Sequence, residues 1–132
     1  VVTLILKKVP NAISREDHYA AIKQAVSRQR TSLTKALCLQ GNINYFFTEA
    51  ARQNEIKVIE KILKYAKERI DGDTLNEVLI EAVNKSNGPR TLAILEGAWN
   101  MVTIDSTTHI TRNINRFLGK PQKDIKKKLG LQ

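Results

Sequence analysis

The sequence is poor in the residues that form covalent cross-links, metal sites and sharp breaks in the chain. Its 132 residues include 1 cysteine, 3 prolines and 6 glycines. The single cysteine, Cys38, excludes a disulfide framework and a zinc site built from cysteines. The nucleotide-binding patterns G-x-x-x-x-G-K-[ST] and G-x-G-x-x-G are missing, as are G-x-S-x-G of serine hydrolases and H-E-x-x-H of zinc proteases. We therefore expect a chain without a cofactor and without catalytic activity of its own.

Long apolar runs are missing as well. The longest candidate, residues 1–6, includes a threonine and is followed by Lys7 and Lys8. It is far shorter than the roughly 18 residues of a membrane span, and it lacks the flanking residues of a signal peptide. Because the chain begins with Val1 rather than Met, we interpret it as a domain of a larger protein. Residues 1–12 are then an N-terminal extension cut from a preceding domain, and any activity of the parent protein would lie elsewhere.

What remains is sufficient for one folded domain. The chain is 42% hydrophobic and 27% charged, and a chain of this length buries about two-thirds of its unfolded surface. We assign residues 13–118 to this domain. Its apolar positions recur at helical spacing, as in the stripe of Leu75, Val78 and Leu79. Ser14 and Asn42 are candidate helix caps, and Thr74 with Glu77 forms a candidate capping box. The predicted fold class is all-α.

The helical segments also repeat. Ile22 and Ala25 align with Phe47 and Ala50, and this second pair aligns in turn with Leu79 and Ala82. Each unit has a short helix, a tight turn and a second helix. A single hairpin of this kind cannot bury its apolar face, so the units must pack on one another. Stacked antiparallel helical hairpins are the predicted architecture, and an irregular helical bundle is the alternative.

The central unit, residues 45–64, resembles the helical half of an ankyrin repeat. It has the small pair, the β-branched pair and the final aliphatic pair of that family in Ala50-Ala51, Val58-Ile59 and Ile62-Leu63, with Asn54 in place of the family's turn glycine. The resemblance is to degenerate ankyrin-like domains of effector proteins from intracellular bacteria. It implies a protein–protein interaction module with a cytoplasmic or other intracellular location, including secretion into a host cell.

The charge is strongly positive and concentrated at both ends of the chain, with seven Lys and Arg residues against two acids in residues 1–35. The net charge is +9. We interpret residues 119–132 as a basic helix or tail that is dispensable for folding and could lie on a phosphoinositide membrane surface or on RNA. Residues 112–128 contain one acid, Asp124. The candidate anion-binding residues of this stretch are Arg112, Arg116, Lys120, Lys123, Lys126, Lys127 and Lys128.

Few single residues stand out as functional. His18 and His109 have no second metal ligand at helical spacing, so we expect surface or capping roles for both. Cys38 lies between two leucines and is expected to be a buried small hydrophobe. Trp99 shares an apolar stripe with Leu92 and Leu95, which favours core packing, and its alternative role is to anchor a partner. Tyr45 is the aromatic residue most expected on the surface, and it is the second candidate for partner binding.

Two functions remain. The favoured one is a non-enzymatic protein–protein interaction module with a protein partner, based on the repeat. The alternative is an anion-binding module that uses the basic ends. Salt separates them, because binding to phosphates weakens steeply with ionic strength and an apolar interface does not.

Overall fold

The computed structural model describes residues 14–131. The predicted N-terminal extension, residues 1–12, lies outside the described residues. The described chain divides into two compact units at residues 69 and 70. Every regular element in residues 14–131 is helical, which confirms the predicted all-α class.

The first unit contains two helical hairpins. Helices α1 (Arg15–Ser27) and α2 (Thr31–Cys38) form the first, and α3 (Ile43–Arg52) and α4 (Ile56–Ala66) form the second; a short 3₁₀-helix, Lys67–Arg69, follows α4. The side chains of Ser14 and Asn42 accept hydrogen bonds from backbone N–H groups of the first turns of α1 and α3, so both predicted caps are confirmed. Helix α4 packs against α1 and α2. The two hairpins therefore stack on each other.

The second unit contains four helices: α5 (Gly72–Asn84), α6 (Gly88–Gly97), α7 (Ile104–Arg112) and α8 (Gly119–Leu129). Short 3₁₀-helices, Trp99–Met101 and Ile114–Arg116, flank α7. Helices α5 and α6 form a hairpin, α7 packs against α5, and α8 packs against α6. Helix α5 begins at Gly72, with Asp71 as the cap residue, so the prediction that Thr74 caps this helix is wrong.

The three hairpin turns have the same backbone conformation. Gln29, Asn54 and Ser86 all have a positive φ, between 56° and 58°. In each turn the next residue's N–H bonds to a carbonyl five residues earlier, as in Arg30 to Ala25 at 2.9 Å. These are the bonds of the Schellman motif, which satisfies the free carbonyls at a helix C-terminus. The turns follow one another along the chain at the same two spacings that align the repeated apolar residues.

The core consists of aliphatic and aromatic side chains from the predicted stripes. Ala50 and Ala82, which occupy matching repeat positions, are both fully buried, as small residues at close helix contacts would be. Cys38 is buried too, and burial raises the pKa of its thiol to about 11. The thiol is therefore protonated and unreactive at neutral pH.

His18 is buried in the first unit, so the prediction of a surface role is wrong. Its Nε2 lies 2.9 Å from the carbonyl oxygen of Leu37, and its ring stacks at a tilt on Phe46 with 4.5 Å between centroids. Gly41 comes so close that a Cβ there would be 2.9 Å from the imidazole. The histidine thus fastens α1 to the end of α2.

The basic C-terminal segment is packed rather than free. Ile125 of α8 is fully buried, and Pro121 lies so close to Gly88 that a Cβ on that glycine would be 2.7 Å from it. The spacing of Ile110, Ile114, Phe117 and Leu118 predicts one apolar stripe, but Leu118 is 82% exposed. It differs because α7 ends at Arg112, so helical spacing no longer applies to it. The interpretation of this segment as a dispensable tail is therefore replaced by that of a helix, α8, which packs into the second unit through Ile125.

Candidate functional site

The site begins with an exposed tryptophan. Helix α6 ends at Gly97, and the chain turns into the 3₁₀-helix Trp99–Met101. This turn takes Trp99 off the stripe of α6, and the residue is 41% exposed. The prediction of core packing for Trp99 is therefore wrong. A large exposed aromatic residue is a feature of interaction surfaces.

A second exposed apolar residue lies beside it. Ile104 is the first residue of α7 and is 82% exposed. Together they border a recess of about 390 Å³, which is lined by Trp99, Val102, Thr103, Ile104, Thr107, Thr111 and Leu129. We call this the Trp99 recess. None of its lining residues is charged.

Three threonines on one side of α7 give the recess a polar strip. Thr103, Thr107 and Thr111 are spaced four residues apart and share a helix face. The hydroxyl of Thr107 donates to the carbonyl of Ile104 and that of Thr111 to the carbonyl of Thr107, each at 2.9 Å. Because each hydroxyl has used its hydrogen, its oxygen can act toward a ligand only as an acceptor.

A buried polar cluster fixes the start of α7. The side-chain oxygen of Asn76 accepts from the Thr103 N–H at 3.1 Å and from the Ser106 hydroxyl at 2.7 Å. Its NH₂ group donates to the carbonyls of Gly72 and Met101, at 2.8 and 3.0 Å. This amide joins α5 to two of the elements that border the recess, the 3₁₀-helix Trp99–Met101 and the start of α7. The position of the recess therefore depends on Asn76 rather than on a flexible loop.

The candidate anion-binding residues divide by position. Five lie on α8, Arg112 ends α7, and Arg116 follows it in a 3₁₀-helix. Two of them have polar partners: Arg116 donates to the carbonyl of Asn84, which lies 32 positions away in the sequence, at 3.0 Å, and Lys120 pairs with Asp124 at 3.2 Å. The ammonium of Lys128 lies over the Trp99 ring, 5.2 Å from its centroid. The structure therefore joins the basic helix to the exposed tryptophan, which sequence reasoning had treated separately.

Tyr45, the other predicted partner-binding residue, lies in the first unit. It is half-buried, with the guanidinium of Arg15 at 4.4 Å from its ring centroid and an edge contact to Phe46 at 6.0 Å. Both contacts hold the ring within its own unit. Tyr45 therefore offers less free apolar area than Trp99.

The first unit has a larger groove of about 1540 Å³, bordered by α1, α4 and two hairpin turns. Its charged residues have both signs: Glu16, Glu55 and Glu60 face Lys23, Arg28, Lys57 and Lys61. The ammonium of Lys23 is already shared between Gln53 at 3.0 Å and Glu55 at 3.6 Å. The groove therefore has no single chemistry that selects a ligand.

The described residues contain neither a metal-binding cluster nor a membrane-spanning helix. Within residues 14–131, no three His, Cys, Asp or Glu side chains are grouped so that they could hold a metal ion. No helix in the described part of the chain combines the length and the apolar character that crossing a membrane requires. His109, predicted at the surface, pairs there with the side-chain oxygen of Asn84 at 2.7 Å.

Sequence reasoning missed Ile104 and the threonine face. The signal for Ile104 was present, since it is an aliphatic residue that belongs to none of the predicted stripes. The sequence pattern places a threonine-rich helix start at Thr107-Thr108-His109, but Thr103 is the cap, and its hydroxyl accepts from the Ser106 N–H at 3.2 Å. With Thr103 as the cap, Ile104, Thr107 and Thr111 fall in one helix.

Comparison with protein-family models, with curated proteins and with solved structures gives no match for this chain.

Proposed function

We propose that this chain is a non-enzymatic protein–protein interaction module and that the Trp99 recess is its docking site. The observation that carries the proposal is the placement of the exposed Trp99 and Ile104 at the border of one recess. The repeated hairpin turns and the resemblance of residues 45–64 to an ankyrin repeat support it, because stacked helical repeats present extended binding surfaces.

The energetics favour this site as an anchor. Tryptophan is over-represented among interface residues whose truncation costs about 2 kcal/mol or more. Burying the remaining exposed part of Trp99 together with Ile104 removes apolar area from water, at about 25 cal/mol per Å². The Asn76 cluster holds both residues in place beforehand, which lowers the ordering cost of binding. A partner therefore gains most of its binding energy at this recess.

The test compares two exposed apolar residues. Proteins from the source cell are passed over the immobilised 132-residue chain and over its Trp99→Ala and Leu39→Ala variants. Leu39, at 46% exposure in the first unit, is the matched control. A partner retained by the wild type and by Leu39→Ala, but lost from Trp99→Ala, is then purified and titrated. We expect Trp99→Ala to weaken its binding at least 30-fold.

Equal losses for both variants, or none for Trp99→Ala, would place the docking surface elsewhere. Circular dichroism of the variants checks that each remains folded, so that a loss of binding is not a loss of structure.

The second candidate function is anion binding through α8, at a phosphoinositide membrane surface or on RNA. The observation that favours it is that Lys123, Lys126 and Lys127 form no ion pair with any described residue. Vesicles with and without phosphoinositide, and a single-stranded RNA, test it at low salt. Binding that survives Lys126→Gln combined with Lys127→Gln would exclude these lysines as the site.

A further inference from the structure

The elements around the Trp99 recess carry charge of nearly one sign. Residues 99–131 hold seven Lys and Arg residues but only two acids, Asp105 and Asp124. Asp124 is paired with Lys120, which leaves Asp105 as the acid of this segment without an ion pair among the described residues. The segment that borders the recess is therefore basic overall, while the lining of the recess itself is uncharged. We call the basic residues of this segment the positive rim.

Lys128 connects this rim to the recess itself. Its ammonium lies 5.2 Å from the centroid of the Trp99 ring, and its neighbour Leu129 lines the recess. Lys126, Lys127 and Lys128 form the last turn of α8. Consecutive residues lie on different sides of a helix, and Lys128 is the one of these three that lies at the Trp99 ring. An anionic group bound by Lys128 would lie next to an apolar group packed on Trp99. The two kinds of contact are thus close enough to be made by one short segment of a partner.

The lining of the recess favours a peptide over a lipid surface. The hydroxyl oxygens of Thr107 and Thr111 are left as acceptors, and a hydrocarbon chain has no donor to satisfy them. Hydroxyl or amide side chains of a peptide can donate to them. A concave, partly polar recess is also poorly shaped for a flat bilayer.

We infer that the partner docks through an acidic amphipathic peptide segment. Its apolar side chains pack on Trp99, Ile104 and Leu129, and a carboxylate pairs with Lys128 of the last turn of α8. This is the helix-in-groove mode of recognition combined with charge complementarity at the rim. The inference rests on the proposed function, because it names the partner of the same recess.

The experiment uses an array of short synthetic peptides in which net charge and apolar content vary independently. Trp99 is the one tryptophan of the sequence, so its fluorescence reports binding at the recess directly. We expect acidic peptides with apolar residues at helical spacing to bind, and their charge-reversed copies to fail. Lys128→Gln should weaken binding at least tenfold, while Lys35→Gln, at an exposed lysine of the first unit, should leave it unchanged.

Peptide charge tests the acidic character of the partner, whereas Ile104→Ala tests the recess as the docking site. If neutral or basic peptides bind equally well and Ile104→Ala weakens them, the recess is a docking site for a partner that is not acidic. If no peptide binds, or if Ile104→Ala has no effect on binding, both proposals are overturned. Vesicles with phosphatidylserine form a separate arm. A blue shift of Trp99 with vesicles, lost in Ile104→Ala and absent with every peptide, would assign the recess to a membrane surface.

Discussion

At the scale of single residues, the buried imidazole of His18 makes a distinctive contribution. Burial lowers the pKa of His18 below its ordinary value of 6.5, and the hydrogen bond to the Leu37 carbonyl offsets this only in part. The native protein therefore holds the neutral ring, whereas the unfolded chain takes up a proton near pH 6.5. Stability that depends on His18 is present above this pH and is lost as the pH falls below it.

We expect the urea midpoint of the protein to be lower at pH 5.5 than at pH 7.5 because of His18. One pH unit below the unfolded pKa, the loss is at most about 1.4 kcal/mol. The pKa values of the Glu16 and Glu49 carboxyls are lowered from 4.5, so these groups titrate below the chosen range. His18→Gln should remove the pH difference, and His109→Gln should keep it. A difference that persists in His18→Gln would assign it to another group.

At the scale of helices and turns, the three hairpin turns carry non-glycine residues in the left-handed conformation. The left-handed region costs an ordinary L-residue about 1–2 kcal/mol, and glycine avoids this cost. Gln29 and Ser86, one in each unit, hold this conformation at φ 58° and 56°. The turn hydrogen bonds around them therefore persist at the expense of local strain.

Gln29→Gly and Ser86→Gly should each stabilise the protein by about 0.5–1 kcal/mol, because the relief of strain exceeds the entropy that glycine adds to the unfolded chain. The measurement is urea denaturation followed by circular dichroism. Arg28→Gly and Lys85→Gly are the matched controls, since these neighbours have φ values of −91° and −88°, and they should destabilise. Destabilisation by Gln29→Gly would contradict the assigned turn.

Helix α8 is a structural part of the second unit. Ile125→Ala should cost about 2–5 kcal/mol, the usual effect of truncating a buried aliphatic residue. Leu118→Ala, at an exposed site, should change the free energy of unfolding by no more than about 0.5 kcal/mol. Thermal melts measure both. Equal stability of the two variants would mean that α8 does not dock on α6, and truncation after Leu118 would then be tolerated.

At the scale of the whole molecule, the net charge of +9 predicts weak binding to polyanions in general. For double-stranded DNA, used as a general polyanion, the logarithm of the binding constant falls with the logarithm of salt in proportion to the phosphates neutralised. The combined variant Lys126→Gln, Lys127→Gln and Lys128→Gln should make this negative slope less steep by about 3, or about one unit per lysine. Trp99→Ala should leave the slope unchanged, because the tryptophan carries no charge. A change in the slope of this variant would mean that Trp99 affects how the lysines contact phosphate.

The sequence by itself determined the features that depend on neighbours along the chain. The helical class follows from apolar spacing, the caps at Ser14 and Asn42 from side chains that reach their own backbone, and the repeat spacing from the turns. The helical class, the caps and each single turn involve residues within a few positions of each other, so the local sequence pattern contains their cause. The burial of Ala50 and Ala82 also follows, because the repeat assigns them to the inner face of their helices.

Tertiary structure alone decided the exposure of Trp99, the burial of His18 and the docking of α8. Trp99 lies on an apolar stripe only if α6 continues, and the helix ends at Gly97. His18 is buried by Leu37, Gly41 and Phe46, which lie far from it in the sequence. Ile125 is one apolar residue among lysines, and only the packing of α8 on α6 makes it part of the core. The Trp99 recess has the same origin, since its lining comes from three elements that only packing brings together.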